Sequence, residues 1–418
     1  MQLLLYNLLT GAYFLGIKIA AIWNPKAKQW LQGRVGLWEE IEQRITKQRV
    51  DGQQLVWMHC ASLGEFEQGR PVLEALHKQR ATFKILLSFF SPSGYEIRKN
   101  YPHADWVVYL PADSATNVQR FLNAVQPDLA IFVKYEFWYH YLTHLKSRKI
   151  PTQLISAIFR PYQPFFKWYG GLHREMLHCF SSILVQDEAS QLLLKKLKIN
   201  NVQVAGDTRV DRVVEIAANP IPLPSVAAFC GDSPVMVCGS TWPPDEAILN
   251  EVFASERFKE WKFILAPHDV QPAHLQAIES KLTVPFLRFS QLEQHQDQKA
   301  RLLLIDNIGL LSSLYAFGKI AYIGGGFGQG IHNILEPAAF GLPVIFGPKF
   351  EKFEEANWML KQGGAFVVRN AGELLTTLSQ LSNTAELEKA SGAVNSYIKS
   401  RVGATPVVLQ QIELLMTK

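Results

Sequence analysis

The sequence predicts an α/β fold of two doubly wound parallel sheets preceded by an N-terminal membrane-associated helix, and three observations lead there. From residue 55 onward, short aliphatic or β-branched runs alternate with amphipathic stretches, the pattern of parallel strands joined by helices. That alternation breaks once, where Pro220, Pro222 and Pro224 crowd together ahead of Gly231. Finally, 418 residues exceed what one hydrophobic core usually organises, and an apolar share of 48% is enough for two.

The elements follow in order. Residues 3–23 are apolar apart from Asn7, Thr10 and Lys18, with Tyr6, Tyr13 and Trp23 as interfacial aromatics. At about 1.5 Å per residue this stretch just spans a hydrocarbon core of roughly 30 Å. Its cations, Lys26, Lys28 and Arg34, follow the apolar run instead of leading it, which favours a retained anchor over a cleaved signal and places the rest of the chain on the cytoplasmic side. Residues 55–59, 84–88, 106–109, 129–133, 152–155, 182–186 and 202–205 read as strands of a first sheet. After the proline passage, 235–239, 262–266, 302–305, 320–323, 343–346 and 365–368 read as a second. The expected division is an anchor at 1–35, an N-terminal Rossmann-like domain at 36–215 and a C-terminal one at 216–418, with 405–416 as its last helix. Ligands of such sheets sit beyond the carboxyl ends of the strands, so chemistry is expected in strand-to-helix loops lining a cleft.

Bulk charge excludes some classes. A net charge of +5 with dispersed Lys and Arg gives no nucleic-acid footprint. Cys60, Cys179, Cys230 and Cys238 form no CxxC pair, so they read as reduced, buried thiols and not as a zinc site.

Three loops of the second half carry chemistry. Gly324-Gly-Gly-Phe-Gly-Gln-Gly330 follows a strand and precedes the expected helical stretch 331–337, an arrangement suited to cradling phosphate. It is in register with neither the dinucleotide nor the P-loop pattern. Glu336 and the following Pro337-Ala-Ala-Phe-Gly-Leu-Pro-Val-Ile345 resemble the nucleotide-sugar motif of GT-B glycosyltransferases, which implies that Glu336 contacts the donor ribose. Gly325, Gly326, Gly328 and Asn333 are the accompanying donor contacts. Gly239-Ser-Thr-Trp-Pro-Pro-Asp-Glu246 offers Ser240 and Thr241, whose hydroxyls cap the proline-started helix or bind a phosphate oxygen. In Ala266-Pro-His-Asp269, His268 pairs with the nucleotide or serves packing.

In the first half, His59-Cys-Ala-Ser-Leu-Gly-Glu-Phe-Glu67 runs from a strand through a glycine turn into a helix, and Glu65 at that turn is the candidate general base. This loop, with Ser91-Pro-Ser-Gly94, Tyr109-Leu-Pro-Ala-Asp113 and Tyr135-Glu-Phe-Trp138, resembles the 3-deoxy-D-manno-oct-2-ulosonic acid (Kdo) transferases. The resemblance implies a GT-B fold, two Rossmann-like domains facing a central cleft, the first binding the acceptor and the second the nucleotide-sugar. It also implies an inverting, metal-independent transfer of Kdo from CMP-Kdo to the lipid A precursor at the cytoplasmic face of the inner membrane, with no cofactor and Glu65 as base. The family often carries a Glu two residues ahead of the acid matched by Glu136, and here Lys134 stands in its place. Lys134 then pairs with Glu136, a phosphate or the donor carboxylate. Arg160, in the aromatic span 158–169, either holds an acceptor phosphate or belongs to a buried aromatic loop. Arg209 and Arg212 are candidates for the donor's charged groups or for ordinary ion pairs.

Overall fold

The computed structural model describes residues 1–48, 52–78, 83–293 and 299–417. Its backbone divides into two compact units, Met1–Asp211 with Gly403–Lys418, and Arg212–Val402.

Unit 1 holds strands β1 (Gln54–Cys60), β2 (Phe83–Phe89), β3 (Trp106–Tyr109), β4 (Leu129–Val133), β5 (Thr152–Ala157), β6 (Ser182–Val185) and β7 (Val202–Val204). They form one parallel sheet in the order β3-β2-β1-β4-β5-β6-β7. Alternation along β1 explains why both faces are covered: Leu55 and Trp57 enter one apolar cluster, while Val56, Met58 and Cys60 enter the other. Helix Leu63–Lys78 lies on the second face, and Gly69 lets it approach closely, since a Cβ there would stand 2.9 Å from the Met58 sulfur.

Unit 2 repeats the plan with β8 (Val235–Thr241), β9 (Lys262–Pro267), β10 (Phe286–Arg288), β11 (Leu302–Leu304), β12 (Ile320–Ile323), β13 (Val344–Phe346) and β14 (Ala365–Val367). The order is β10-β11-β9-β8-β12-β13-β14, again parallel throughout. The predicted α/β class and every expected strand are present. The edge strand β10, three residues long and only half-buried, is additional; its short Phe-Leu-Arg run carries no readable period.

The domain limits differ from the sequence reading in two places. The units part at 211/212 and not at 215/216, inside the helix Thr208–Ala218. The proline passage, where the alternation breaks, contains a helix, Pro224–Cys230, because proline fits a first helical turn. The final helix, Ala404–Met416, belongs to unit 1. Asp211 accepts hydrogen bonds from the backbone N–H groups of Gly403 and Thr405 at its start, and Val408 and Ile412 pack in the Val56–Met58 cluster.

The N-terminal helix Gln2–Ala20 has no buried residue. All four cysteines are unpaired and buried, as expected from their spacing.

Candidate functional site

In each sheet the strand order reverses near the middle, between β1 and β4 in unit 1 and between β8 and β12 in unit 2. A crevice opens beyond the carboxyl ends at such a switch point because the crossovers on its two sides run to opposite faces. Four loops singled out in the sequence leave these four strands, so each sheet brings two of them together.

At the unit 1 switch point, β1 runs through Ala61 and Ser62 into the helix bearing Glu65 in its first turn. The Ser62 hydroxyl donates to Glu65 Oε2, which fixes the carboxylate at the helix start and leaves Oε1 as the second acceptor. From β4, Lys134 takes a left-handed conformation at φ 68°, which a side chain other than glycine adopts at a cost. Its N–H donates to the Ile155 carbonyl at 2.9 Å, so the sheet holds the turn in that shape. The turn aims Glu136 inward. Glu136 Oε2 accepts from the Trp138 indole N–H at 2.7 Å and lies 3.1 Å from His59 Nε2. An ionised Glu136 requires the proton on His59 Nε2. His59 Nδ1 then faces the Ser88 hydroxyl at 2.9 Å, and Ser88 Oγ accepts from the Trp57 indole at 2.8 Å. Because His59 and Ser88 are fully buried, this chain from Trp57 to Trp138 has no water to replace a lost partner.

The carboxylates gather around one thiol. Burial pushes Cys60 well above the usual thiol range, and the charges of Glu65, Glu136 and Glu67 add to that. The Tyr135 phenol, raised by burial, feels Arg160, Tyr162, Glu65 and Asp187, so the aromatic span and the candidate base share a neighbourhood. Arg160 donates to Asp187 Oδ2 at 3.0 Å. Burial raises the Asp187 carboxyl, but hydrogen bonds from Ser190 and Arg160 outweigh it and hold the group below the usual range. Lys134 Nζ lies 5.3 Å from the Tyr135 ring centroid.

At the unit 2 switch point, Ser240 is left-handed at φ 54°, and the register between β8 and β9 shifts around it. Thr241 is fully buried and its hydroxyl, read from the sequence as a helix cap or a phosphate contact, donates to Glu246 in the first turn of the helix Pro243–Phe253. Trp242, His268 and His332 form an aromatic cluster: His268 stacks on both partners at 4.6 Å, and His332 Nε2 accepts from the Trp242 indole at 2.9 Å. Burial and the charge of His268 lower the His332 pKa, consistent with a neutral ring accepting that bond.

Asp245 joins the two loops. Fully buried at the start of the helix Pro243–Phe253, it accepts from Trp242 N–H at 2.9 Å, Gly325 N–H at 3.0 Å and the Tyr322 hydroxyl at 2.8 Å. Beside it lies a pocket of about 400 Å³ lined by Trp242, Asp245, Gly325, Gly328, Gly330 and His332, among others.

The glycine loop differs from the expected open cradle. Gly325 N–H is held by Asp245, Gly328 and Gly330 N–H donate to the Gly325 carbonyl, and Gly324 N–H donates to Gly239. A Cβ on Gly326 would stand 2.6 Å from the Gly347 nitrogen, so that glycine serves backbone packing. A Cβ on Gly328 would meet nothing closer than 3.5 Å. The helix expected over 331–337 is shorter, Leu335–Ala339, because the N–H groups of Ile331 and His332 go to the Lys349 and Gly324 carbonyls and keep the chain irregular. Glu336 accepts from the Asn333 amide at 3.1 Å, and its charge, after burial, raises the Tyr315 phenol beneath β8. Arg212 lies in the helix Thr208–Ala218 at the start of unit 2, whereas Arg209, in unit 1, closes on Asp207.

Sequence reasoning missed His59 with Ser88, and Asp245. The first pair was signalled by two polar residues in otherwise apolar strands, which register places side by side. Asp245 was signalled by its position two residues after the proline that opens a helix.

Residues 31–212 match the family model of the 3-deoxy-D-manno-octulosonic-acid transferases (Kdotransferases). The chain is 29% identical over 332 residues to the 3-deoxy-D-manno-octulosonic acid transferase of Aquifex aeolicus, covering 78% of this chain and 85% of that one. It is 27% identical over 395 residues to the enzyme of the same name from Haemophilus influenzae, covering 90% and 88%. Among solved structures, UDP-GlcNAc 2-epimerase from Neisseria meningitidis bound to UDP-GlcNAc aligns with a TM-score of 0.60 at 16% identity, over 86% of this chain and 99% of that one, a likeness of fold alone. The family likeness and the two doubly wound parallel sheets read from the sequence are thereby borne out.

Proposed function

Starting from a chain related to the Kdo transferases along most of its length, we propose that it transfers Kdo from CMP-Kdo to the lipid A precursor, a tetra-acylated disaccharide bisphosphate, at the cytoplasmic face of the inner membrane. The observation that carries the reading is Glu65, a carboxylate at the unit 1 switch point whose one oxygen is fixed by Ser62. Its free oxygen takes the proton from an acceptor hydroxyl as that oxygen attacks the anomeric carbon of Kdo. The bond from that carbon to the CMP phosphate oxygen breaks, CMP leaves, and configuration inverts.

Unit 2 supplies the donor site in this reading. Trp242, His268 and His332 offer flat surfaces to the base, Glu336 a charged acceptor to the ribose, and Ser240, Gly325, Gly326 and Gly328 backbone beside the phosphate. CMP leaves with less charge than a nucleoside diphosphate would, so helix N-termini and cationic side chains suffice to stabilise it, and no metal takes part. Glu136, held by His59 and Trp138, together with Lys134 and Arg160, supports the acceptor.

The test is direct. Purified protein, CMP-Kdo and the tetra-acylated acceptor are incubated with EDTA, and mass spectrometry should find the acceptor heavier by whole Kdo units. Unchanged acceptor beside intact CMP-Kdo, both with and without added divalent metal, rules the reading out. Transfer that needs the metal rules out the metal-free mechanism alone.

A further inference from the structure

The N-terminal helix meets unit 1 along a single stripe. Tyr6, Thr10, Phe14, Ile17 and Ala20 are half-buried, at the three- and four-residue spacing of one helix face, while Leu4, Leu5, Leu8, Leu15 and Ile19 are exposed. Polar side chains fasten this side of the helix at two parts of the unit, around Asp113 and His140 and at residues 169–172. The Tyr6 hydroxyl donates to Asp113 Oδ2 at 2.6 Å, Asn7 Oδ1 lies 2.7 Å from His140 Nε2, and Gln2 bridges the Leu172 N–H and the Tyr169 carbonyl. Farther along, Phe14 stacks on Trp30 at 5.6 Å and Tyr13 on Phe90 at 6.3 Å.

A helix crossing a bilayer is surrounded by lipid over its whole length, and polar partners at its middle would lie in hydrocarbon. Here the contacts run from Gln2 to Phe14, so no stretch long enough to cross is left free of unit 1. Crossing would draw Asp113 and His140 into the hydrocarbon as well. We infer that the helix Gln2–Ala20 lies in the membrane plane, sunk into one leaflet as the underside of unit 1, and does not span the bilayer.

The charge around the exposed face selects lipid as its occupant. No acidic residue precedes Glu39, while the exposed Lys18, Lys26 and Lys28 lie along the same segment, a balance that suits anionic headgroups. Exposed aromatics flank both ends of the helix: Trp23, 70% exposed, after its last turn, and Trp168, 92% exposed, next to the Tyr169 carbonyl that Gln2 holds. Indole rings at the two ends of an apolar strip mark the headgroup level.

Two measurements decide. The full chain carrying an epitope tag ahead of Met1 is produced in bacterial cells; the tag should resist protease added to intact spheroplasts and be digested in inside-out vesicles. Digestion in intact spheroplasts means the helix spans and overturns the inference. In flotation with vesicles of phosphatidylethanolamine and phosphatidylglycerol, the purified chain should float, and Leu4→Glu combined with Leu8→Glu should lower the bound fraction by at least about tenfold with Tm unchanged, since both side chains point away from unit 1. Undiminished flotation of that variant, or a wild-type dimer that ignores the vesicles, overturns it too.

Discussion

Beyond β1 and β4 the protein places ionisable side chains, Glu65, Glu136 and Lys134, on a buried hydrogen-bonded scaffold. Beyond β8 and β12, at the same place in an equivalent sheet, it places glycines, an aromatic cluster and one buried acid that binds backbone to backbone. A fixed strand order therefore sets where a ligand is met, and the loops alone decide what meets it. On the function proposed above, the first switch point moves a proton and the second holds a flat, phosphate-bearing molecule. Each also holds one left-handed residue with a side chain, Lys134 and Ser240, where the strand gives way to the loop.

The largest expected effect breaks the two apart. Glu65→Gln should lower turnover by roughly two to four orders of magnitude, the scale of a lost general base, while CMP binds as before by calorimetry. Parallel loss of CMP affinity would mean that unit 1 holds the donor and that the division of labour is wrong.

Glu336→Ala is the converse. CMP affinity should fall by about 1.5 to 3 kcal/mol, as for a lost hydrogen bond to a charged group, with little change in acceptor KM. Undiminished affinity removes Glu336 from the donor site.

Within the glycine loop, packing and binding can be separated. Gly326→Ala brings a methyl 2.6 Å from the Gly347 nitrogen and should lower unit 2 stability by about 1 to 3 kcal/mol in thermal unfolding. Gly328→Ala has room, at 3.5 Å from the Gly325 carbonyl, and should cost no more than about 0.5 kcal/mol. If Gly328→Ala nonetheless weakens CMP binding, the loss reports on the ligand and not on the fold.

The smallest effect is a pH dependence. Burial raises the Asp245 carboxyl in the fold, against the hydrogen bonds from Gly325, Tyr322 and Trp242. Its folded form therefore takes up a proton more readily than the unfolded chain does. That contribution to stability is complete below the ordinary carboxyl value near ~3.9 and is lost as the pH rises through the raised folded value. Relative to Asp245→Asn, the wild type should thus lose stability between acidic and neutral pH in denaturant titrations. A flat difference would show that the carboxylate is as well accommodated inside as outside.

The sequence by itself determined the α/β class, thirteen of the fourteen strands among the described residues and the four loops at the two switch points, because buried parallel strands write continuous apolar runs and their loops carry the glycines, prolines and acids. The short edge strand β10, half-exposed and three residues long, wrote no such run. Only the tertiary structure decided that Glu136 is shared by His59 and Trp138, that Asp245 ties two loops together, and that Gly326 serves packing. It also returned the last helix to unit 1 through Asp211 and laid the N-terminal helix along that unit's surface. These contacts join residues 77 to 192 positions apart in most cases, and local periodicity records which face of an element is apolar but not which distant element will cover it.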